Sequence, residues 1–121
     1  MSATTLEITK KTWPAFFTDV SRQYGGWGVT IEVLEGEMGD QPRLDGLPLQ
    51  GISFEPAGSQ AGDIIVEAGE LGTPFETHLV HKPQVVRQTV TLPSEVDIEI
   101  EADEGLVTLI HLRRRPELPL A

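Results

Sequence analysis

The chain has no cysteine, and that absence closes several classes together. Disulfide staples, thiolate zinc sites, redox pairs and cysteine nucleophiles are all excluded. No run approaches the roughly 20 apolar residues of a membrane span, and the amino terminus lacks the apolar stretch of a secretory signal, so a cytoplasmic protein is expected. Basic residues are scarce: nine Lys and Arg stand against 19 Asp and Glu, a formal charge of -10. A surface of that sign repels phosphate backbones, which disfavours nucleic-acid binding in general and an Sm-like or SH3-like nucleic-acid module in particular. Catalytic and nucleotide motifs are missing as well. There is no Gly-x-Ser-x-Gly, no phosphate-cradling glycine loop with Lys-Ser/Thr and no Gly-x-Gly-x-x-Gly. Gly25-Gly26-Trp27-Gly28 lacks the preceding strand that a dinucleotide fold requires.

What is present is periodicity. Trp13, Phe16, Phe17, Val20 and Tyr24 recur at steps of three and four, which sets them on one stripe of a helix. Thr12 is the better N-cap, because it places Pro14 in the first turn, where a missing N–H costs little. Gly25-Gly26 ends the helix. Beyond it the period becomes two: Trp27, Val29, Ile31 and Val33 alternate with more polar positions, as do Val96, Ile98, Ile100 and Ala102. Strands are expected at 27–34, 47–55 and 63–68, and a further strand over 75–81 and 84–90 is interrupted at Pro83, an edge, bend or break; Gly51 marks a bulge or bend. The firmest pairing is a hairpin of 95–102 with 106–112 around Asp103-Glu104-Gly105. With 121 residues and 39% hydrophobic content, a single domain is expected. Its parts are a lead-in at 1–8, a helix over 9–25, antiparallel strands over 27–112 and a flexible tail at 113–121. The fold class read from this is α+β, an N-terminal helix packed on a curved antiparallel sheet or small barrel of five to six strands.

Four groups of residues are candidates for function. His78, His81 and His111 could ligate a metal only if their nitrogens converged at about 2.1 Å from one point. Residues three apart on a strand face opposite ways, so they are weak candidates and no cofactor is expected. The second group is acidic: Glu95, Asp97, Glu99, Glu101, Asp103 and Glu104 run without an intervening base. Spaced two apart on a strand, carboxylates lie roughly 7 Å from one another, too far for a tight pair or a compact calcium cage. They suit a solvent face, or a basic protein partner steered to Asp97, Glu99 and Glu101. Arg113, Arg114 and Arg115 form a cationic tail that could fold back on the acidic face. Finally, the aromatics around the helix read as core, with Trp13 or Trp27 lining a groove as the functional alternative.

The helix Thr9-Lys10-Lys11-Thr12-Trp13-Pro14-Ala15-Phe16-Phe17, the following Gly-Trp and strand to Val33, and Pro48-Leu49-Gln50-Gly51-Ile52-Ser53-Phe54 carry a likeness. With the 78–87 stretch and the closing hairpin, they resemble a family of small bacterial proteins classed as a domain of unknown function, number 5335. The resemblance spans nearly the whole chain and implies no activity, cofactor or site residue. The expected role is therefore non-enzymatic: protein–protein contact through Trp13, Trp27 or the acidic face, in a homo-oligomer or with another protein. The alternative is a small-ligand or metal-binding barrel using His78, His81 and Arg87.

Overall fold

The computed structural model describes residues 4–35, 40–55 and 62–115, with 40–44 and 104 described by backbone alone. Strand β1 (Thr4–Ile8) leads through a 3-10 turn at Lys10–Thr12 into helix α1 (Trp13–Tyr24). Seven strands follow: β2 (Gly28–Glu35), β3 (Asp40–Glu55), β4 (Asp63–Ala68), β5 (Glu76–Val80), β6 (Pro83–Leu92), β7 (Glu95–Ala102) and β8 (Leu106–Arg113). They form one open sheet of eight strands in the order β1-β6-β7-β8-β2-β3-β4-β5, antiparallel throughout. The expected five-to-six-stranded barrel is therefore wrong in number and in closure.

Two features account for the difference in number, a strand at the amino terminus and a break at Pro83. Thr4–Ile8, expected as a lead-in, pairs with β6 from Thr4↔Val90 to Ile8↔Val86. Residues 40–42 pair with β2 and lengthen β3 without adding a strand. Pro83 proves to be a break, since β5 ends at Val80 and β6 begins at Pro83 on a different part of the sheet. The bulge expected at Gly51 falls one residue earlier: the β3–β4 register jumps between Leu49 and Gly51, leaving Gln50 unpaired. Of the tail expected at 113–121, Arg113 closes β8 and residues 116–121 lie outside the described residues, as do residues 56–61.

The sheet is open but strongly rolled, and one short link requires it. β5 is an edge strand, and β6 is next to the opposite edge. On a flat sheet they would lie about 29 Å apart at about 4.8 Å per strand. Only His81 and Lys82 join them, and three Cα steps reach at most about 11 Å. The two ends of the sheet must therefore curl toward each other. Lys82 makes the corner with a positive φ of 51, and its carbonyl accepts a hydrogen bond from the Asp103 N–H at 3.2 Å, which fastens the corner to the turn between β7 and β8.

Rolling encloses a single core. Trp13, Phe17, Val20 and Tyr24 of α1 join alternate residues of the strands, among them Val29, Ile31, Leu49, Ile52, Ile64, Val66, Val86, Ile98, Ile100, Ile110 and Leu112. The period-two alternation places the residues between them on the outer face. α1 is tied to β3 by Ser21, whose Oγ accepts from the Ile52 N–H at 2.8 Å and lies 2.9 Å from the carbonyls of Phe17 and Ile52.

Candidate functional site

Trp13 is 1% exposed. Its indole N–H donates to the Ile8 carbonyl at 3.0 Å, its ring meets Phe54 edge-on at 5.3 Å, and the Lys10 ammonium lies 5.5 Å above it. Trp27 is half-buried and stands edge-on to Tyr24 at 4.7 Å. The two tryptophans lie apart, because a helix of 12 residues separates its ends by about 16 Å at 1.5 Å per residue. Trp13 is thus a core residue that also holds the end of β1, and it lines no open groove.

The outer face of β1, β6, β7, β8 and β2 carries two polar rows that registers across the sheet bring together. One runs Thr5–Thr89–Asp97–His111–Thr30–Asp45. Within it Thr5 and Thr89 share a hydrogen bond of 2.8 Å, His111 Nδ1 is 2.7 Å from Asp97 Oδ1, and Thr30 donates to Asp45 at 3.2 Å. The other row centres on Arg87, whose Nη1 donates to Glu99 at 2.7 Å and Glu101 at 2.9 Å, while Nη2 lies 3.9 Å from Glu7. Hydrogen bonds to Glu101 and then Glu99 raise the guanidinium above its ordinary pKa. Such a raised cation loses its contribution only when pH climbs past the folded value, so Arg87 stays charged at any pH relevant to the fold.

The acidic stretch read as lacking a base therefore borrows one from the neighbouring strand. Asp97 against His111 was recoverable from sequence, since a hairpin symmetric about Glu104 sets 97 opposite 111, as the observed register Glu95↔Arg113 to Glu101↔Val107 does. Arg87 opposite Glu99 was not, because the β6–β7 connection gave no comparable centre. An Arg87→Leu variant leaves Glu7, Glu99 and Glu101 facing one another without a cation. It is expected to melt lower than the parent at low ionic strength, with the deficit shrinking as salt screens the repulsion. Thermal melts at two salt concentrations check this, and a salt-independent deficit would point to lost packing instead.

The histidines do not gather. His78 lies opposite Val66 on β5, His81 Nδ1 contacts Asp63 at 3.0 Å, and His111 sits on β8 with Nε2 at 3.8 Å from Glu32. Among the described residues no group of three or more His, Asp and Glu could hold a metal ion. His78 and His81 do line one cleft of about 290 Å³ with Val33, Leu106 and Thr108, but Arg87 does not border it. The ligand-binding barrel built on His78, His81 and Arg87 thus loses both its barrel and its common cavity.

Two grooves among the described residues are each about 420 Å³ in volume. The first lies on the outer face where β8 ends, lined by Gly28, Thr30, Asp45, His111 and the arginines at 113–115. Its floor is opened by a bulge: the β2–β3 register steps from Val29↔Leu47 to Thr30↔Asp45, leaving Gly46 unpaired at φ 81, a conformation that favours glycine. The second runs between β1 and α1 and is lined by Leu6, Ile8, Thr12, Ala15, Phe16 and Asp19. Beside it the inner face of the sheet runs out into solvent, with Leu6 59% and Val90 43% exposed.

A family model described as a family of unknown function, DUF5335, matches residues 4–121. The chain belongs to this family. An uncharacterized protein of Aquifex aeolicus (strain VF5) is similar to it at 29% identity over 116 residues, covering 96% of each chain. No solved structure matches. Neither match brings an activity to the DUF5335 chain, and among its described residues no helix is long and apolar enough to cross a membrane.

Proposed function

We propose that this DUF5335 protein acts through protein–protein contact, and that the contact is self-association along β1. The observation that supports this most is the state of that edge. β1 is the first strand of an open sheet, its Thr-Thr-Leu-Glu-Ile sequence carries neither Lys nor Pro, and Leu6 at its centre is 59% exposed over an apolar groove. An edge without charge or proline protection on its inward side is a template for another strand.

A second copy fits this edge by sequence. Antiparallel pairing about a two-fold at Leu6 sets the two Leu6 side chains together, Thr4 against Ile8 and Thr5 against Glu7. The two Glu7 carboxylates then avoid each other across the pair, where like charges destabilise. Each Glu7 also keeps Arg87 nearby. The row of Asp97, Glu99 and Glu101 supports a partner less well, because Arg87 and His111 already engage all three. With -10 on each copy, association should strengthen as salt screens the long-range repulsion.

Light scattering across a concentration series tests the reading. The native chain is expected to approach twice its 13.2 kDa, and Leu6→Lys should weaken association at least tenfold. Its melting temperature as a monomer should hardly change, because an exposed side chain is altered. A mass of 13.2 kDa at every concentration, or an unchanged dimer in Leu6→Lys, would overturn it.

A further inference from the structure

We propose that the groove at the end of β8 binds a small oxyanion, a carboxylate or phosphate ester of metabolite size. This does not depend on association through β1, which lies on another part of the sheet. In a chain of charge -10 the groove gathers Arg113, Arg114, Arg115 and His111 around one depression. Guanidinium groups recognise carboxylate and phosphate oxygens through paired N–H donors, and this is the chemistry the groove concentrates.

The arginines are placed rather than loose. Arg113 closes β8, pairing with Gly28 on one side and Glu95 on the other, and its guanidinium contacts the Glu95 carboxylate at 3.0 Å. The Arg114 N–H donates to the Ser94 carbonyl at 2.9 Å, and Arg115 reaches Glu70 at 3.5 Å. Among the described residues the Arg114 guanidinium has no ion-pair partner, so its donors are open to a ligand. The facing wall is ordered too: His111 is held by Asp97 at Nδ1 and has Glu32 3.8 Å from Nε2, so it fixes the wall while the arginines supply the donors. Asp45, the one carboxylate on the lining among the described residues, already accepts from the Thr30 hydroxyl.

Two glycines make the room. A Cβ at Gly28 would stand 3.6 Å from the Arg113 carbonyl and the Arg115 side chain and 3.8 Å from the Gly46 carbonyl, which are ordinary contacts. Gly28→Ala should therefore fold normally yet fill the floor. A polyanion such as nucleic acid is disfavoured by the net charge, because a single cationic groove cannot offset repulsion from the rest of the surface.

The test is a titration of the full chain with inorganic phosphate, glycerol phosphate and succinate at constant ionic strength, followed by backbone amide shifts. Saturable shifts are expected at Gly28, Gly46 and Arg114 with the phosphates, with succinate, or with both, and the arm that saturates identifies the headgroup. Arg114→Gln and Gly28→Ala should each weaken binding tenfold or more, while Arg22→Gln, on the exposed side of α1, should leave it unchanged. Absence of saturation by all three probes would overturn the proposal. So would undiminished shifts in Arg114→Gln, or shifts of equal size around Arg22 and Arg87, which mark screening by an adventitious ion only.

Discussion

Trp13→Ala is expected to lower the unfolding free energy by about 3–5 kcal/mol, the range for emptying a fully buried large aromatic. Trp13 is 1% exposed, so nearly the whole ring volume becomes a cavity among Phe54, Phe17 and their neighbours. Its indole N–H is also the donor that holds the Ile8 carbonyl at 3.0 Å, so the end of β1 is released along with the packing. Against a total stability of about 5–15 kcal/mol for a domain, the loss would leave a substantial unfolded fraction near physiological temperature. Denaturant unfolding checks it: the midpoint should fall while the slope stays constant. Trp13→Phe separates the two contributions, since it keeps a ring in the site but removes the N–H. It should cost less than the alanine variant while still loosening β1. Parent-like stability in Trp13→Ala would mean that the helix is not seated as described.

Gly69→Ala is the second large effect, at about 2–4 kcal/mol from backbone strain added to overpacking. Gly69 has φ 152 and is buried. Its N–H donates to the Pro48 carbonyl at 2.9 Å and its carbonyl accepts from Gln50 Nε2 at 2.8 Å, so the backbone is held from both sides and cannot rotate away. An added Cβ would come to 3.1 Å from the Phe75 ring and 3.3 Å from the Phe75 Cα. Gly72→Ala is the control. It has φ 88 but nothing within 4 Å of a Cβ, so conformational cost alone remains, about 1 kcal/mol. Melts of the two variants should differ clearly, and equal losses would show that the close approach to Phe75 contributes nothing.

How much of this was legible in the sequence depended on whether a feature was local. The helix was, because its stripe from Trp13 to Tyr24 and the Pro14 and Gly25 signals all lie within one segment; α1 spans Trp13–Tyr24. The β7–β8 hairpin was legible for the same reason. β1 was not: five residues with only Leu6 and Ile8 apolar carry little period, and what makes them a strand is β6, some eighty residues away. The strand order was equally hidden. Nothing in a list of strands says that β8 pairs with β2, or that the two-residue corner at His81-Lys82 forces an eight-stranded sheet to roll.

The site followed the same rule. The acidic period on β7 was visible, and the arginines at 113–115 were visible as a run. Their surroundings came from cross-strand register: Arg87 beside Glu99 and Glu101, and Arg113 beside Glu95 and Gly28. The aromatics divided in the same way: the helical spacing marked Trp13 as core, where it is 1% exposed, while the contact of Trp27 with Tyr24 needed the chain to turn at Gly25-Gly26.

Hydrogen exchange at β1 tests the central claim most directly. If the open edge pairs with a second copy, amides within Thr4–Ile8 that point away from β6 should exchange more slowly as protein concentration rises. That concentration dependence should vanish in Leu6→Lys, while the amides of β7 and β8 in the sheet interior stay protected throughout. Exchange at β1 that is fast and the same at every concentration would contradict the account, leaving β1 as a bare edge and the chain as a monomer.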